Sequence, residues 1–495
     1  MNALTIPYPK SDRLRFRLCL ILINILVITT LYAIQGKRDL GLLNIEENAL
    51  SAALGLFAQI LTLTYYFSWG KITGNYLNLF GMFLVSFVLF CLGQVIIYSY
   101  GVRTFAGANM FTRLPVQLIN TSAIYTLICL AAFFSGALLV IDSPKKPVAI
   151  EEEECNLAAF RKVGKLLLVF SAIPFLYSRT TTLLAARSIG YEALYNYSNY
   201  GSSRVFKIIE GLSSLFTVGL IMLLVGYKHD KNKRNLITLF LSISAVITLM
   251  MGERTGAASM LLVVYWYRSF CLPTKKDKKK NLLGIILVSV LLLLAFPAIQ
   301  RLRHEGIANV VQISQIVARN GIVESLISSI ASVGFSVFPL AKTMEIVPLY
   351  ENYRYGITYL MALTTVFPNL FFEIHPAQKY SALASWLMKR LNMTYGPGYS
   401  MPAEAYINFG WFPLPIMLLA GYLIARLLYI TKDNRNDPFR VFVAMMFFFM
   451  NITLPRREFL GVVRDIAYYI IPAYLVLKGI SRKQCQQAQG KKRGV

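Results

Sequence analysis

The sequence predicts an all-α, polytopic membrane protein with about 12 transmembrane helices and one large external loop, roughly 298–410, that contains short helices. Three observations carry this. The 495 residues are 56% hydrophobic, with a mean hydropathy of +0.54. Apolar stretches of about 17 to 22 residues recur along the whole chain, each long enough to cross a hydrocarbon layer of roughly 30 Å. Lysine is concentrated in alternate short loops, as expected where those loops face the cytoplasm.

The spans fall at 18–34, 49–67, 77–98, 118–141, 163–178, 206–226, 235–251, 255–272, 281–298, 411–430, 439–454 and 460–478. The first follows Lys10, Arg13, Arg15 and Arg17. No small-residue cleavage site follows it, so it reads as an uncleaved helix with its start inside. The fourth span is followed by Lys145, Lys146, Arg161 and Lys162, and the sixth by Lys228, Lys231, Lys233 and Arg234. The eighth is followed by Lys275, Lys276, Lys278, Lys279 and Lys280, and the chain ends on Lys491, Lys492 and Arg493. All of these fall inside in the same frame, which puts both termini in the cytoplasm. The acidic run Glu151–Glu154 fits the start of a short cytosolic helix, where the dipole favours negative charge. Residues 322–341 and 356–372 are also apolar. Ser325, Ser329, Ser332 and Ser336 share one face of the first stretch. We read it as an external or re-entrant helix; a crossing hairpin would leave every other loop on the same side.

The chain then divides into an N-terminal bundle of about nine spans (1–298), an external loop domain (299–410), a C-terminal bundle (411–480) and a disordered basic cytoplasmic tail (481–495). The net charge of +26 could suggest nucleic acid, but the basic residues are scattered among loops between apolar spans, which excludes a nucleic-acid surface. Walker, dinucleotide-binding and zinc spacings are absent. Of the six cysteines, none falls in an external segment or at metal-ligand spacing, so neither external disulfides nor a metal site is expected.

External positive charge is mostly arginine, whose planar fork binds phosphate oxygens in pairs and keeps its charge. Arg254 sits in a tight turn between Gly252 and Gly256. Arg301 and Arg303 follow the ninth span, beside His304 and Glu305. Arg456 and Arg457 fill the last external turn. Arg457 and Arg464 are spaced to share a helical face, about 10 Å apart along the axis. Arg464 and Asp465 lie inside an apolar span, where charge is costly and usually faces a cavity; a locked ion pair is the plainer alternative.

The stretch Asn392–Pro415 closes the large loop. Gly396, Pro397 and Gly398 force a tight turn. A helix is then expected from Pro402 to Gly410, carrying Glu404, Tyr406 and Asn408. A hydroxyl that attacks a centre carrying an anionic leaving group needs a base near the acceptor and positive charge near the leaving group. Glu404 is the first candidate base and His375 the second. The plainer alternatives are a carboxylate capping its own first turn and a structural histidine. Tyr195, in the tyrosine-rich segment 191–200, offers a flat face for a sugar.

The run Glu404-Ala405-Tyr406-Ile407-Asn408-Phe409-Gly410, after a Gly/Ser turn, resembles the end of the external loop in bacterial polysaccharide repeat-unit polymerases of the Wzy type. The Gly-x-Arg element at Arg254 is similar to one in the same family, as is Tyr355-Gly356-Ile357-Thr358-Tyr359 leading to Phe367-Pro368. Where the family often has Pro-Arg, this chain has Pro368-Asn369. The resemblance implies polymerisation of undecaprenyl-pyrophosphate-linked oligosaccharide repeats into O-antigen or capsule at the outer face of the bacterial inner membrane. It implies no metal, cofactor or nucleotide sugar, since the donor is already activated. Arg254, Arg301, Arg303, Arg456, Arg457 and Arg464 would face the pyrophosphate; Tyr399, Tyr406, Asn408 and Tyr195 the sugars. The expected partners are the lipid-linked donor and acceptor, the bilayer and a chain-length regulator protein. The rivals are an O-antigen ligase using the same donor, with an external histidine prominent, and a flippase, which would favour two similar halves.

Overall fold

The computed structural model describes residues 10–103, 105, 109–141, 150–189, 204–251, 253–272, 323–367, 369, 372–393 and 396–493. Every regular element among the described residues is helical, with no strand. In chain order the helices are α1 (Lys10–Asp39), α2 (Glu47–Thr73), α3 (Leu79–Ser99), α4 (Val116–Leu138), α5 (Ile150–Ile189), α6 (Arg204–Gly226), α7 (Lys231–Met250) and α8 (Arg254–Trp266), which runs on as a π-turn at Tyr267–Cys271. After residues 273–322, which contain the expected ninth span, comes α9 (Val323–Ile346), with a 3-10 turn at Gly334–Ser336. Then follow α10 (Ile357–Leu363), α11 (Pro376–Ser381), α12 (Leu383–Arg390), α13 (Met401–Phe409), α14 (Leu414–Leu428), α15 (Pro438–Asn451), α16 (Phe459–Asp465) and α17 (Ile471–Arg493), the last two joined by a π-turn at Ile466–Ile470.

Eight of the described helices are long and apolar enough to cross a membrane: α1 to α4, α6, α9, α15 with its following turn, and Phe459–Gln487. Helix α9 is therefore long enough to span, whereas α14, at 15 residues, is a short apolar helix. Two expectations change. The Glu151–Glu154 run opens a continuous 40-residue helix with Pro174 inside it, not a separate short one. The tail expected to be disordered is helical as far as Arg493. Its lysines, arginines and glutamines are good helix formers, and Ser481 bonds Asn156 of α5.

Helix α4 is the axis of the bundle: 94% of its most apolar window is buried, against 22% for α1 on the rim. Its contact with α14 is close because two glycines meet it from opposite sides. A Cβ at Gly136 would stand 1.9 Å from the Leu418 carbonyl, and one at Gly421 1.8 Å from that of Phe133. Small residues let backbones approach where water drives no burial. Polar pins add direction: Asn24 of α1 accepts from the Tyr65 hydroxyl of α2 at 2.6 Å and donates to Ser135 of α4 at 2.9 Å.

Loops expected on one side do meet each other. Arg161 reaches the Gly226 carbonyl, Lys228 pairs with Glu153 and bonds Asn436, and Arg435 reaches the Phe270 carbonyl. At the other end of α8, Arg254 bonds Ser332 of α9, and α9 leads on to the cluster around Glu404.

Candidate functional site

Helix α13 forms where the sequence indicated. Ser400 is extended and its hydroxyl accepts from the Ala403 N–H at 3.3 Å, Pro402 lies in the first turn, and Gly410 ends the helix at φ 56°. Gly410 is required there, since a Cβ would come within 2.9 Å of the Tyr353 ring. Every residue from Met401 to Asn408 is buried.

Asn408 ties this helix to the segment before α10. Its carbonyl oxygen accepts from the Gly356 N–H at 2.9 Å, and its amide donates to Thr358 Oγ1 and the Glu404 carbonyl, each at 2.7 Å. The N–H groups of Arg354 and Tyr355 add bonds to the Ile407 and Asn408 carbonyls at 2.9 and 3.0 Å. Tyr399 precedes the helix and Tyr406 lies within it. Their hydroxyls meet Thr343 Oγ1 at 3.1 Å and the Val347 carbonyl at 3.3 Å. Burial pushes both phenols up, so they stay neutral.

The Glu404 side chain is 1% exposed. Oε1 accepts from the Thr358 hydroxyl at 3.0 Å, and Oε2 accepts from the Phe459 N–H at 2.6 Å. It caps no turn of its own helix; it caps α16, whose preceding residue makes no side-chain cap. Burial pushes its carboxyl up to about 8. The Phe459 N–H and the Thr358 hydroxyl oppose that rise, Glu458 adds to it, and Arg354 works against it.

Glu458 reaches back the other way, accepting from the Ala384 N–H of α12 at 2.8 Å. Its carboxyl is also pushed up by burial, against the Ala384 and Leu383 N–H groups, Arg464 and Arg457. Two carboxylates thus cross between the α10–α13 segment and the last span: Glu404 of α13 caps α16, and Glu458, just ahead of α16, caps α12. Arg354 supports the arrangement from below, donating to the Tyr380 carbonyl at 3.0 Å and lying 5.0 Å over Trp386.

The arginines fall in two places. Arg457 donates to the Met450 carbonyl at 3.1 Å and pairs with Asp465 at 3.0 Å, lying across Gly461. The chain is extended at Arg457 and Glu458, and α16 starts after them. Arg457 and Arg464 therefore do not share a helical face, and Asp465 pairs with Arg457 rather than with its neighbour. Arg464 is exposed and its Nε donates to Thr365 Oγ1 at 3.3 Å. The second place is the crossing of α3 and α9, where Gly93 and Gly334 meet. Arg254 donates to Ser332 at 3.4 Å, Arg113 lies 5.8 Å over Phe335, and Arg456 lies 5.5 Å over Phe90. Ser332 and Thr343 are on the same helix, so Arg254 and Tyr399 sit roughly 16 Å apart along its axis. A buried carboxyl with a raised pKa beside fixed guanidinium groups can take a proton at one point and stabilise developing negative charge at another.

The profile of the O-antigen polysaccharide polymerase Wzy family matches residues 16–487, nearly the whole chain. The chain belongs to the Wzy family of O-antigen polysaccharide polymerases. It is accordingly a multi-pass membrane protein of polysaccharide biosynthesis. No curated protein and no solved structure matches it.

Within this Wzy-family chain, Glu404, Tyr399, Tyr406 and Asn408 form one cluster. His375 serves as a cap: Nδ1 accepts from the Ala377 N–H at 3.1 Å, and Nε2 lies 3.1 Å from the Phe367 carbonyl. Tyr195, Arg301 and Arg303 lie outside the described residues. Three members of the cluster were not singled out from the sequence: Thr358, Arg354 and Glu458. Thr358 stands in the Tyr355–Tyr359 motif and Glu458 follows two arginines, but only the fold shows that both address Glu404.

Proposed function

We propose that this chain polymerises undecaprenyl-pyrophosphate-linked oligosaccharide repeats into O-antigen or capsular polysaccharide at the outer face of the inner membrane. It would do so with about 12 spans, both termini cytoplasmic and residues 298–410 external. The observation that carries the reading is Glu404, a fully buried carboxyl pushed up to about 8 within the motif that the family resemblance marks. In the reaction, the bond from the donor's anomeric carbon to the pyrophosphate oxygen breaks, and that carbon bonds the acceptor hydroxyl oxygen. The hydroxyl proton passes to Glu404, and the leaving pyrophosphate carries the electron pair towards the arginines. Arg254, Arg456 and Arg457 are the described candidates for holding it, with Arg464 at the exposed edge. Tyr399, Tyr406 and Asn408 shape the wall near the acceptor. A ligase would draw on an external histidine, and both ring nitrogens of His375 are engaged in the loop.

Glu404→Gln and Glu404→Asp separate base from cap. Glutamine can accept from the Phe459 N–H through its oxygen and donate to Thr358 through its amide, so the cap persists while the base is lost. Aspartate keeps a base but is too short for both bonds. Losing a general base costs roughly 10² to 10⁴ in rate. Cells with Glu404→Gln should make single-repeat glycan at normal protein level, and Glu404→Asp should retain some polymer. A normal ladder of chain lengths from Glu404→Gln would overturn the base.

A further inference from the structure

We propose that the end of the bundle away from Glu404 holds a phosphate-oxyanion site built from Arg234, Tyr267, Thr431 and Arg435. Arg254 and Tyr267 are on the same helix, α8 and its π-turn, roughly 20 Å apart along the axis, so this site is remote from the chemistry described above.

The site gathers on the π-turn Tyr267–Cys271, a geometry that often marks function in helices. Arg435, from the turn between α14 and α15, donates to the Phe270 carbonyl at 3.1 Å. Arg234, at the start of α7, donates to the Lys228 carbonyl. Lys228 pairs with Glu153 at 2.6 Å and bonds Asn436 at 3.1 Å. Arg234 and Glu153 act electrostatically on Tyr267, and Lys228 and Arg435 on Cys271, so four chain segments meet here. Arg268, exposed and bonded to Thr238 at 3.2 Å, lies within electrostatic reach of Arg234.

Among the described residues, four buried atoms in this cluster have no hydrogen-bond partner: the Tyr267 hydroxyl, Thr431 Oγ1, and Nε of Arg234 and of Arg435. Tyr267 is 2% exposed and Thr431 6%. All four can donate, and buried donors are ordinarily matched. Among the described residues, Arg234, Arg268, Arg435 and Lys228 bring positive charge here; of the nearby carboxylates, Glu153 is engaged by Lys228, Asp230 by Lys233, Asp437 caps α15 and Asp433 is exposed. Unmatched donors with positive charge beside them call for a ligand that is negative and rich in acceptors, which describes a phosphate group. Arg234 and Arg435 are half-buried, so the cluster opens to the loop surface. The phosphate could belong to a phospholipid headgroup or be free in solution.

The test uses the full chain in lipid nanodiscs and reads thermal unfolding. One arm adds inorganic phosphate to phosphatidylcholine discs, with chloride at matched ionic strength as control. The other compares phosphatidylglycerol with phosphatidylcholine discs without added phosphate. A rise in Tm in the first arm assigns free phosphate, and a rise in the second only assigns a headgroup. Tyr267→Phe fills the same volume and removes only the hydroxyl; it should weaken the response roughly tenfold in half-saturating concentration or lipid fraction. Arg435→Gln should weaken it further. No rise in either arm overturns the site, and so does a Tyr267→Phe response equal to that of the parent chain.

Discussion

Glu404 makes stability depend on pH in a direction opposite to most carboxylates. Its carboxyl is held at about 8 against an ordinary value of 4.5, chiefly by burial. At 1.36 kcal/mol per pH unit that gap, 8 minus 4.5, corresponds to about 5 kcal/mol. Below pH 4.5 both folded and unfolded chains carry the proton and the contribution is fully present. Between 4.5 and about 8 the unfolded chain has released its proton and the folded chain has not, so stability falls as pH rises. Above about 8 the loss is complete. Glu404→Gln carries no titrating group and keeps both hydrogen bonds. Thermal unfolding of the two proteins from pH 5 to pH 9 should therefore show the glutamine variant gaining on the parent steadily, with the gain levelling above about 8. Glu458 titrates in both proteins and largely cancels in the difference. A constant difference across that range would refute the buried-acid argument, whatever the variant's activity. Polymerisation should show the complementary limb, with the rate rising towards pH 8 as the base is freed.

Arg457→Gln should abolish polymer and destabilise the chain by about 1–3 kcal/mol, because Asp465 loses its partner; adding Asp465→Asn should restore thermal stability but not polymer, and recovery of both would assign Arg457 a purely structural role. Gly421→Ala should cost about 3 kcal/mol or more, since its Cβ would meet the Phe133 carbonyl at 1.8 Å, a clash at the limit of what cores absorb. Gly36→Ala, with nothing within 4 Å, should stabilise by about 1 kcal/mol in the same unfolding assay. Reporter fusions at Asn309 and Asn392 should signal outside and one at Lys491 inside; reversed signals would refute the orientation.

What the sequence revealed was local. Ser400, Pro402 and Gly410 delimit α13 within a residue because cap, proline and left-handed glycine act over one turn. The long apolar helices were legible for the same reason. What joined Glu404 to Phe459 was not, because no periodicity links residues 55 positions apart. The seven-residue spacing of Arg457 and Arg464 misled because it assumed one helix, whereas Pro455 and the extended Glu458 delay the helix start to Phe459. Composition alone suggested a loose C-terminus, whereas the helix continues to Arg493 and Ser481 near its middle bonds Asn156.

The crossed caps bear on how such polymerases can be recombined. Residues 351–410 are an obvious cassette to exchange between relatives when altering which glycan is built. Yet Glu404 lies in that cassette while the N–H it serves is at Phe459, and Glu458 lies outside it while the N–H it serves is at Ala384. A hybrid joined between 410 and 454 inherits the two halves of each lock from different parents. A cassette donor without a carboxylate at 404 leaves the start of α16 bare, and a host without one at 458 leaves the start of α12 bare. The transplantable unit is therefore discontinuous, 351–410 together with 454–465, and grafts that respect it should fold where single-segment grafts fail.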